Sequence, residues 1–232
     1  MRIAVLNDVH GNVRALEAVL HEVDSVGADA IVLGGDVVAG PWPAETYALL
    51  DHVEHAVWIR GNADRELTGE GGRAPAELVD WTSSRLDRSI LERLAGLPLT
   101  VSLEADGLGP VLFCHATPRN DTEIRTAISP DERWLEVLDD VEERTVVCGH
   151  THVQFDRTVG DTRIVNAGSV GMPYENEPGA YWALLGPGVE LRRTRYDVQG
   201  TLSAIVDLGM PTEWPQATAD EATEYFETLA HD

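Results

Sequence analysis

The chain is 232 residues long and 43% hydrophobic, which suits a globular protein with a real core and one large or two small domains. Its formal net charge is −23, and it contains no lysine, so that all 17 of its Lys-plus-Arg positions are arginine. This charge argues against broad nucleic-acid grooves and against adhesion to anionic membranes, because both need a positive surface. It does not exclude a phosphate-bearing substrate, because bound metal ions supply local positive charge whatever the surface carries.

Several features favour a cytoplasmic protein. The apolar stretch within residues 1–12 is too short for a secretory signal, and no segment approaches the ~20 apolar residues of a membrane span. Cys114 and Cys148 each stand at the end of a predicted buried strand, where reduced thiols are favoured over a disulfide. The same position makes Cys114 a core thiol rather than a nucleophile beside the next residue, a histidine.

Strands and helices alternate in the first quarter of the chain. Apolar runs rich in β-branched residues predict the strands, and apolar residues at helical spacing predict the helices between them. This alternation is typical of a parallel sheet covered by helices. In chain order we expect a strand at about 2–7, a helix at about 13–26, a strand at about 29–34, a helix at about 43–55 and a strand at about 56–60.

Residues 65–98 interrupt this alternation. A Gly-rich stretch precedes a helical pattern that runs from Ala76 to about Leu94. The segment is too short for a core of its own, so we expect a helical cap inserted over one end of the sheet.

The second half of the chain is predicted to be mostly β-structure. Between its strands, Ser129 followed by Pro130 and Glu132 matches a capping box, in which Ser129 caps a helix and Glu132 reaches back. Roughly nine strands and four or five helices in the whole chain predict an α/β fold, a two-sheet β-sandwich flanked by helices. The later strands are expected at about 99–104, 110–115, 145–149, 162–166, 180–186 and 189–197.

We expect one domain over residues 1–200, which includes the helical cap, and a C-terminal tail over residues 201–232. The tail holds seven acidic residues and no arginine, and it is partly helical, with weak patterns at about 201–208 and 217–230.

Five short motifs follow the apolar runs, and together they supply seven residues of the types that bind metals. Because a strand that ends in a ligand is repeated five times, the ligands are expected at one edge of one sheet, outside the carboxyl ends of its strands. The motifs are Asp8-Val9-His10, Gly35-Asp36, Gly61-Asn62, Cys114-His115 and Gly149-His150-Thr151-His152.

The residue types indicate the chemistry of this edge. Asp8 and His10 lie two apart at a strand end and are expected to point the same way, and a carboxylate with an imidazole suits a borderline divalent cation. Asp36 follows two glycines that allow close backbone packing, and its carboxylate can bridge two cations. His150 and His152 are the strongest local signal. Each motif alone also fits an ordinary turn, but together they indicate a two-metal hydrolase.

In order and residue type the motifs resemble those of the calcineurin-like metallophosphoesterase family, over roughly residues 1–197. The resemblance implies the α/β/β/α fold of that family and two divalent metal ions that share a bridging aspartate. A hydroxide that bridges the ions would attack the phosphorus of a phosphate ester. Mn²⁺ is the first expectation for the ions, with Fe, Zn, Ni or Co as alternatives. Carried over by position, the resemblance assigns one ion to Asp8, His10, Asp36 and His152, and the other to Asp36, Asn62, His115 and His150.

One position departs from the family pattern. Many members carry a histidine directly after the motif asparagine, where it protonates the leaving oxygen, whereas this chain has Ala63. Similar replacements, and the segments IRGNAD, CHATPR and VNAGSVG, resemble the small bacterial phosphodiesterase-like branch of the family. Hydrolysis of a small phosphodiester is therefore favoured over that of a monoester. The expected substrate contacts are Asn12, Arg60, Asn62, Asp64 and Arg119.

The residues leave some alternatives open. Arg60 fits a structural ion pair as well as a phosphate contact, and Arg119 fits plain surface exposure. A fold that has lost catalysis and serves as a scaffold or binding protein is a rival function, but loss of catalysis usually removes ligands, and all seven are present. A phosphoprotein phosphatase is disfavoured by Ala63 and by short loops. We expect no membrane partner and no stable nucleic-acid binding, and the patterns do not indicate an oligomeric state.

Overall fold

The computed structural model describes residues 1–69, 71–212 and 214–230. Within these ranges the strands are β1 (Ile3–Leu6), β2 (Ala30–Leu33), β3 (Ala56–Trp58), β4 (Thr100–Ala105), β5 (Gly109–Cys114), β6 (Thr145–Cys148), β7 (Phe155–Val159), β8 (Thr162–Asn166), β9 (Ala180–Leu185) and β10 (Val189–Thr194). The helices are α1 (Val13–Val26), α2 (Pro43–Asp51), α3 (Asn62–Glu66), α4 (Ala76–Ser83), α5 (Arg88–Ala95), α6 (Asp131–Leu138), α7 (Val198–Asp207) and α8 (Ala219–Leu229).

The strands form two mixed sheets of five strands each, which confirms the predicted fold class. The first sheet has the order β10-β9-β1-β2-β3, and its strands β1, β2 and β3 run parallel, as the strand–helix alternation predicts. The second sheet has the order β4-β5-β6-β8-β7, with β5, β6 and β8 parallel. Antiparallel hairpins add β4 and β7 at its two edges and β10 at one edge of the first sheet.

Strand β1 shows why the chain forms this layered structure. Its residues alternate between two cores, so that Ile3 and Val5 lie in the cluster between the sheets, while Ala4 and Leu6 pack with residues of α1. All four are at most 1% exposed, and such burial on both faces explains why the strand is a continuous apolar run.

The outer face of the second sheet is covered by α6. Trp134 of this helix is fully buried and belongs to the same core cluster as Phe155 and Ile164. Its indole N–H donates to the carbonyl of Thr126 at 3.2 Å. This hydrogen bond satisfies the polar end of a large apolar side chain. The segment that precedes α6 is therefore tied to the core.

The predicted capping box at Ser129 is wrong. Helix α6 has Pro130 at its N-cap position without a side-chain cap, and the Ser129 hydroxyl accepts from the Thr126 N–H at 2.9 Å and contacts Glu227. A capping box does form at α8, where Thr218 and Glu221 exchange hydrogen bonds. The motif at Ser129 is used instead to hold the C-terminal tail.

Three further details differ from the sequence-based expectations. Strand β7 was not predicted, because only its two ends, Phe155 and Val159, are buried. Helix α2 ends at Asp51 rather than near residue 55. The helical pattern from Ala76 is broken into α4 and α5, and Leu94 of α5 is buried in the core cluster beside the first sheet. Of the described helices, none has both the length and the apolar character that a membrane crossing requires.

Candidate metal centre

All seven predicted ligands lie just beyond the carboxyl ends of strands. The motifs alone had led us to expect all of them at the edge of one sheet, but they come from both sheets. The loops after β1 and β2, and the start of α3 after β3, carry Asp8, His10, Asp36 and Asn62 from the first sheet. The ends of β5 and β6 supply His115, His150 and His152 from the second sheet. The site therefore lies where the two sheets meet.

Left-handed backbone brings these side chains together. Positive φ is uncommon outside glycine, and such strain concentrates at functional sites. Asp8 and His10 therefore converge through two left-handed residues after the strand, and not through the alternation of a strand. The five ligands with positive φ are Asp8 (52°), His10 (47°), Asp36 (51°), His150 (66°) and His152 (58°).

The first cluster contains Asp8, His10 and His152, all of them buried. The Nε2 atoms of the two histidines are 3.2 Å apart, and Nε2 of His152 is 3.2 Å from Oδ1 of Asp8. Nδ1 of His10 faces the carbonyl of Ala39 at 3.1 Å, and Nδ1 of His152 faces that of Met172 at 2.7 Å. When each Nδ1 carries the proton, both Nε2 lone pairs point into the cluster, which is how metal-binding histidines are usually oriented.

The second cluster contains Asp36, His115 and His150, with Asn62 beside it. Nε2 of His115 is 3.5 Å from Oδ2 of Asp36 and 3.2 Å from Nδ1 of His150. The other nitrogen of His115 faces the carbonyl of Gly34 at 2.9 Å, which again leaves Nε2 as the free donor atom.

Asp36 connects the two clusters. Its Oδ2 lies 3.8 Å from Nε2 of His10 in the first cluster and 3.5 Å from Nε2 of His115 in the second. Its Oδ1 accepts a hydrogen bond from the backbone N–H of Ala63 at 2.8 Å, which fixes the carboxylate. One oxygen is thus held by the backbone while the other is available to both clusters.

The donor atoms fit divalent cations. Oδ1 of Asp8 is buried and has no hydrogen-bond partner, although buried carboxylate oxygens normally have one. Asn62 donates its amide N–H to Oε1 of Glu66 at 3.3 Å and turns its oxygen toward Nε2 of His115 at 3.2 Å. The reversed amide would instead donate to His115 and His150, so a cation between these atoms favours the orientation that the amide adopts. Imidazole and carboxylate donors together suit borderline metals such as Mn²⁺, Fe²⁺ and Zn²⁺.

The electrostatics of the site keep both carboxylates ionised. Burial raises the pKa of Asp36, but the charges of His115 and His10 outweigh burial and hold that pKa below its ordinary value. For Asp8, burial is likewise outweighed by His152 and His115, which lower the pKa. Burial lowers the pKa of His115, yet the two carboxylates raise it to about 10, whereas burial lowers the pKa of His150 to about 4. A cation that binds the second cluster therefore displaces a proton from His115.

Glycines leave the space that these contacts need. A methyl group on Gly61 would lie 2.1 Å from Oδ1 of Asp36, and one on Gly35 would lie 2.6 Å from Nδ1 of His115. No side chain larger than hydrogen fits either position unless a ligand moves.

We expect Gly61→Ala to weaken Mn²⁺ binding by about 10- to 100-fold, because the added methyl displaces the carboxylate that joins the clusters. Calorimetric titration of the metal-free protein with Mn²⁺ measures this. Gly188→Ala is the matched control, since its methyl meets nothing within 4 Å. Equal Mn²⁺ affinities in the two variants would contradict the close approach at Gly61.

Comparison with known proteins agrees with this geometry. Residues 1–185 match the model of the calcineurin-like phosphoesterase superfamily domain, which covers most of the chain. The chain belongs to this superfamily. The resemblance found in the five motifs is therefore confirmed at the level of the family.

The chain is similar over nearly its whole length to three other proteins. An uncharacterized protein of Methanocaldococcus jannaschii is 27% identical and is aligned over 91% of this chain and 94% of its own length. A metallophosphoesterase from Sphaerobacter thermophilus has a TM-score of 0.75 and 26% identity, covering 91% of this chain and 95% of that one. A hypothetical protein from Pyrococcus horikoshii OT3 shares the fold with a TM-score of 0.76, at 21% identity and 97% coverage of each chain.

Two of the predicted substrate contacts, Asn12 and Asp64, make hydrogen bonds that belong to the fold. The Asn12 amide caps α1 by accepting from the Ala15 N–H at 3.2 Å and donates to the carbonyl of Gly171 at 2.9 Å. Asp64 is 0% exposed, and its carboxylate accepts from the backbone N–H of Val37 at 3.0 Å. Burial raises the pKa of Asp64 to about 7. A contact with substrate would require either side chain to leave these partners.

The two arginines that were predicted to contact substrate are ion-paired. Arg60 donates to Asp121 at 3.1 Å, and Arg65 binds the same carboxylate, which corresponds to the structural alternative for Arg60. Arg119 pairs with Glu123 on the surface, and the cavity that it borders is not the one above the metal clusters. A role for either arginine in phosphate binding stays a prediction.

Both cysteines are free and buried, as predicted. Burial raises the pKa of Cys114 to about 12 and raises that of Cys148 well above its ordinary value. A thiol in such surroundings is a poor nucleophile. The cysteines therefore belong to the core rather than to the chemistry of the site.

The metal clusters open into a cleft of ≈ 420 Å³, which we call the metal cleft. Its floor carries five of the seven ligands, but several of its walls come from residues that sequence reasoning did not select. Arg73 and residues of the C-terminal tail border it, and Tyr174 lies beside His152. The tail showed only weak helical patterns, and none of its acidic residues follows an apolar strand as the motif ligands do, so no motif connected it with the site.

Proposed function

We propose that the protein is a binuclear metal-dependent phosphoesterase that favours phosphodiesters over phosphomonoesters. The observation that carries the proposal is the position of Asp36, whose Oδ2 lies 3.8 Å from His10 Nε2 and 3.5 Å from His115 Nε2. One carboxylate oxygen between two sets of imidazole donors is the arrangement that a pair of cations needs. In the proposal, Asp8, His10, Asp36 and His152 hold one ion, and Asp36, Asn62, His115 and His150 hold the other.

A pair of divalent cations supplies a water of lowered pKa and neutralises charge on the phosphoryl oxygens when it is bound. The chain's own contribution is to hold the donor atoms in place. Backbone carbonyls orient His10, His152 and His115 through their Nδ1 atoms, and the Ala63 N–H orients Asp36. Because these partners are backbone groups of buried loops, the donors need little rearrangement to bind.

Ala63 supports the preference for esters with good leaving groups. Its side chain borders the metal cleft and carries no proton for a departing oxygen. A diester with an aryl leaving group needs no such proton, whereas an alkyl monoester does. The cleft also has room for the second ester group that distinguishes a diester.

The rival functions have less support. A scaffold that has lost catalysis has no need for left-handed backbone at five ligands or for a buried carboxylate oxygen of Asp8 without a hydrogen-bond partner. A phosphoprotein phosphatase needs an open groove for a folded surface, but Trp214 and Phe226 of the tail border this cleft.

Reloading the metal-free protein tests the proposal. The protein is stripped with a chelator and reloaded separately with Mn²⁺, Fe²⁺, Zn²⁺, Ni²⁺ or Co²⁺, and each form is assayed on phosphomonoesters, phosphodiesters and nucleotides. We expect about two ions per chain, hydrolysis only after reloading and the highest kcat/KM for an aryl diester. Protein that binds two ions and hydrolyses none of these esters would favour the scaffold instead.

A further inference from the structure

The metal cleft has two walls that the metal ligands do not form. One wall is the segment from Arg73 to Leu78, which leads into α4. The other is the C-terminal tail, which contributes Trp214, Phe226 and Leu229. The part of a bound phosphate ester that extends away from the metals would therefore meet these walls.

The tail wall is aromatic and is continuous with the first metal cluster. The ring of Tyr174 stacks on His152 with the ring centroids 5.0 Å apart and the planes inclined by 18°. Phe226 lies 6.1 Å from Tyr174, and Tyr225 lies 5.7 Å from Phe226, both between ring centroids. A flat ring that enters the cleft would meet a group of aromatic side chains, with which it could stack or pack edge to face.

Trp214 extends this wall toward His10. A methyl group on Gly40 would lie 3.3 Å from Cη2 of Trp214, so the indole lies close to the residue that follows Ala39. The carbonyl of Ala39 is the group that orients His10. The indole of Trp214 therefore lies near the backbone group that orients a metal ligand. It is partly exposed and borders the metal cleft.

Glu227 holds the tail in this place. Its carboxylate accepts from the hydroxyl of Thr126 at 2.6 Å and from Arg133 at 3.1 Å, and it also contacts Ser129. Arg133 in addition donates to the carbonyl of Ala230 at 3.2 Å. The ion pair between Glu227 and Arg133 is largely shielded, with side chains 14% and 18% exposed, and such a pair fixes geometry better than an exposed one.

The segment that leads into α4 presents a cation to the cleft. Glu66 is 3% exposed and binds the backbone N–H of Ala74 at 2.9 Å, which secures the segment that carries Arg73. Arg73 is exposed, borders the cleft and has no hydrogen-bonding or ionic partner among the residues that the structure describes. In a chain with a net charge of −23, an unpaired guanidinium beside a metal cleft suits an anionic oxygen of the substrate.

We propose that the tail wall, formed by Trp214, Tyr225 and Phe226 with Tyr174, binds an aromatic ring of the phosphate ester, and that Arg73 binds one of its anionic oxygens. This inference rests on the proposed phosphoesterase function and names its substrate class, which is an aromatic phosphate ester. It also gives the acidic tail a role as the element that determines specificity. Glu227 is then a positioning residue, because it acts through the tail and not on the substrate.

Calorimetry with two non-hydrolysable probes tests the inference without an activity assay. Phenylphosphonate and methylphosphonate are titrated into the Mn²⁺-loaded wild-type protein, and the ratio of their affinities isolates the contribution of the ring. We expect phenylphosphonate to bind about 10-fold tighter or more, because burying a ring removes apolar surface from water.

Substitutions in the tail wall and at Arg73 test where the phenyl ring and the anionic oxygens bind. Phe226→Ala and Trp214→Ala are each expected to reduce the phenyl-to-methyl ratio to about 3-fold or less, and Glu227→Ala is expected to do the same by releasing the whole wall. Arg73→Gln should weaken both phosphonates by a similar factor and leave the ratio as it is. Glu224→Ala is the matched control on α8, because this exposed residue is not among those bordering the cleft.

The outcomes separate this inference from the proposed function. A wild-type ratio near one, or a ratio that Phe226→Ala and Trp214→Ala leave unchanged, overturns the aromatic wall while methylphosphonate binding still supports the metal site. If neither phosphonate binds the Mn²⁺-loaded protein, the proposed function fails first, and the inference fails with it.

Discussion

Asp36→Asn is expected to lower kcat/KM for an aryl phosphodiester by about 10³-fold or more, which corresponds to ~4 kcal/mol of lost transition-state stabilisation. Bound metal is expected to fall in the same variant. The reason is that the two oxygens of Asp36 have different roles. Oδ1 accepts a hydrogen bond from the Ala63 N–H, and Oδ2 lies between the two clusters. Asparagine keeps the first contact through its oxygen and replaces the second atom with an NH₂ group, which cannot bind a cation.

The measurement combines metal analysis of the dialysed protein with steady-state kinetics at saturating Mn²⁺. Asp156→Asn is the matched control, since this surface carboxylate pairs with Arg163 and is not among the residues bordering the metal cleft. Combining Asp36→Asn with His152→Ala should cost little more than either change alone, because ligands that act as a unit are not additive. Wild-type turnover by Asp36→Asn protein would refute the bridging role.

The fold was predictable because its strongest signals are local. The runs IAVL, AIVL and TVVC are buried throughout, so their composition alone distinguishes β1, β2 and β6 from amphipathic strands. Strand β7 lacks such a run, and its pairing with β8 depends on the hairpin rather than on burial. Roles that depend on tertiary contacts were harder to predict. Ser129 was interpreted as a local helix cap, whereas its hydroxyl contacts Glu227 of the tail.

The residues of the candidate metal centre were predictable, but the reason for their convergence was not. Chemistry-bearing residues after apolar runs indicate a site at strand ends, and the structure brings all seven together. Asp and His adopt left-handed φ more readily than most residues other than glycine, but both also occur in ordinary turns, so the sequence does not show that Asp8 and His10 adopt it. Only the neighbouring glycines, such as Gly61 against Asp36, indicate in the sequence that two loops approach closely.

The contacts outside the metal ligands were the least predictable. Arg60 and Asp64 are adjacent to a motif, yet their side chains bind Asp121 and the backbone of Val37. Arg73 belongs to no motif and nevertheless borders the cleft. Proximity to a motif in the sequence does not determine where a side chain points, because tertiary partners such as Asp121 and the backbone of Val37 decide it.

The second large effect concerns the leaving group. We expect wild-type protein to hydrolyse an aryl phosphodiester with a kcat/KM at least about 10²-fold above that for an alkyl phosphomonoester, because general acid assistance is typically worth about 10²–10⁴-fold. A nitrophenolate leaves as a stable anion, whereas an alkoxide needs a proton. Ala63 cannot supply one, and the nearby Asp64 is fully buried with its carboxylate bound to backbone N–H groups.

Ala63→His tests this directly, because the side chain at this position borders the metal cleft. An imidazole there is expected to raise kcat/KM for the alkyl monoester and so to narrow the ratio between the two substrates. Ala63→Gln is the control of comparable size that forms hydrogen bonds but is not a general acid, and it should leave the ratio near the wild-type value. Both variants are compared with wild type at saturating Mn²⁺ and one pH. A wild-type preference for the alkyl monoester would show that another group protonates the leaving oxygen, and the preference for diesters would then lose its chemical basis.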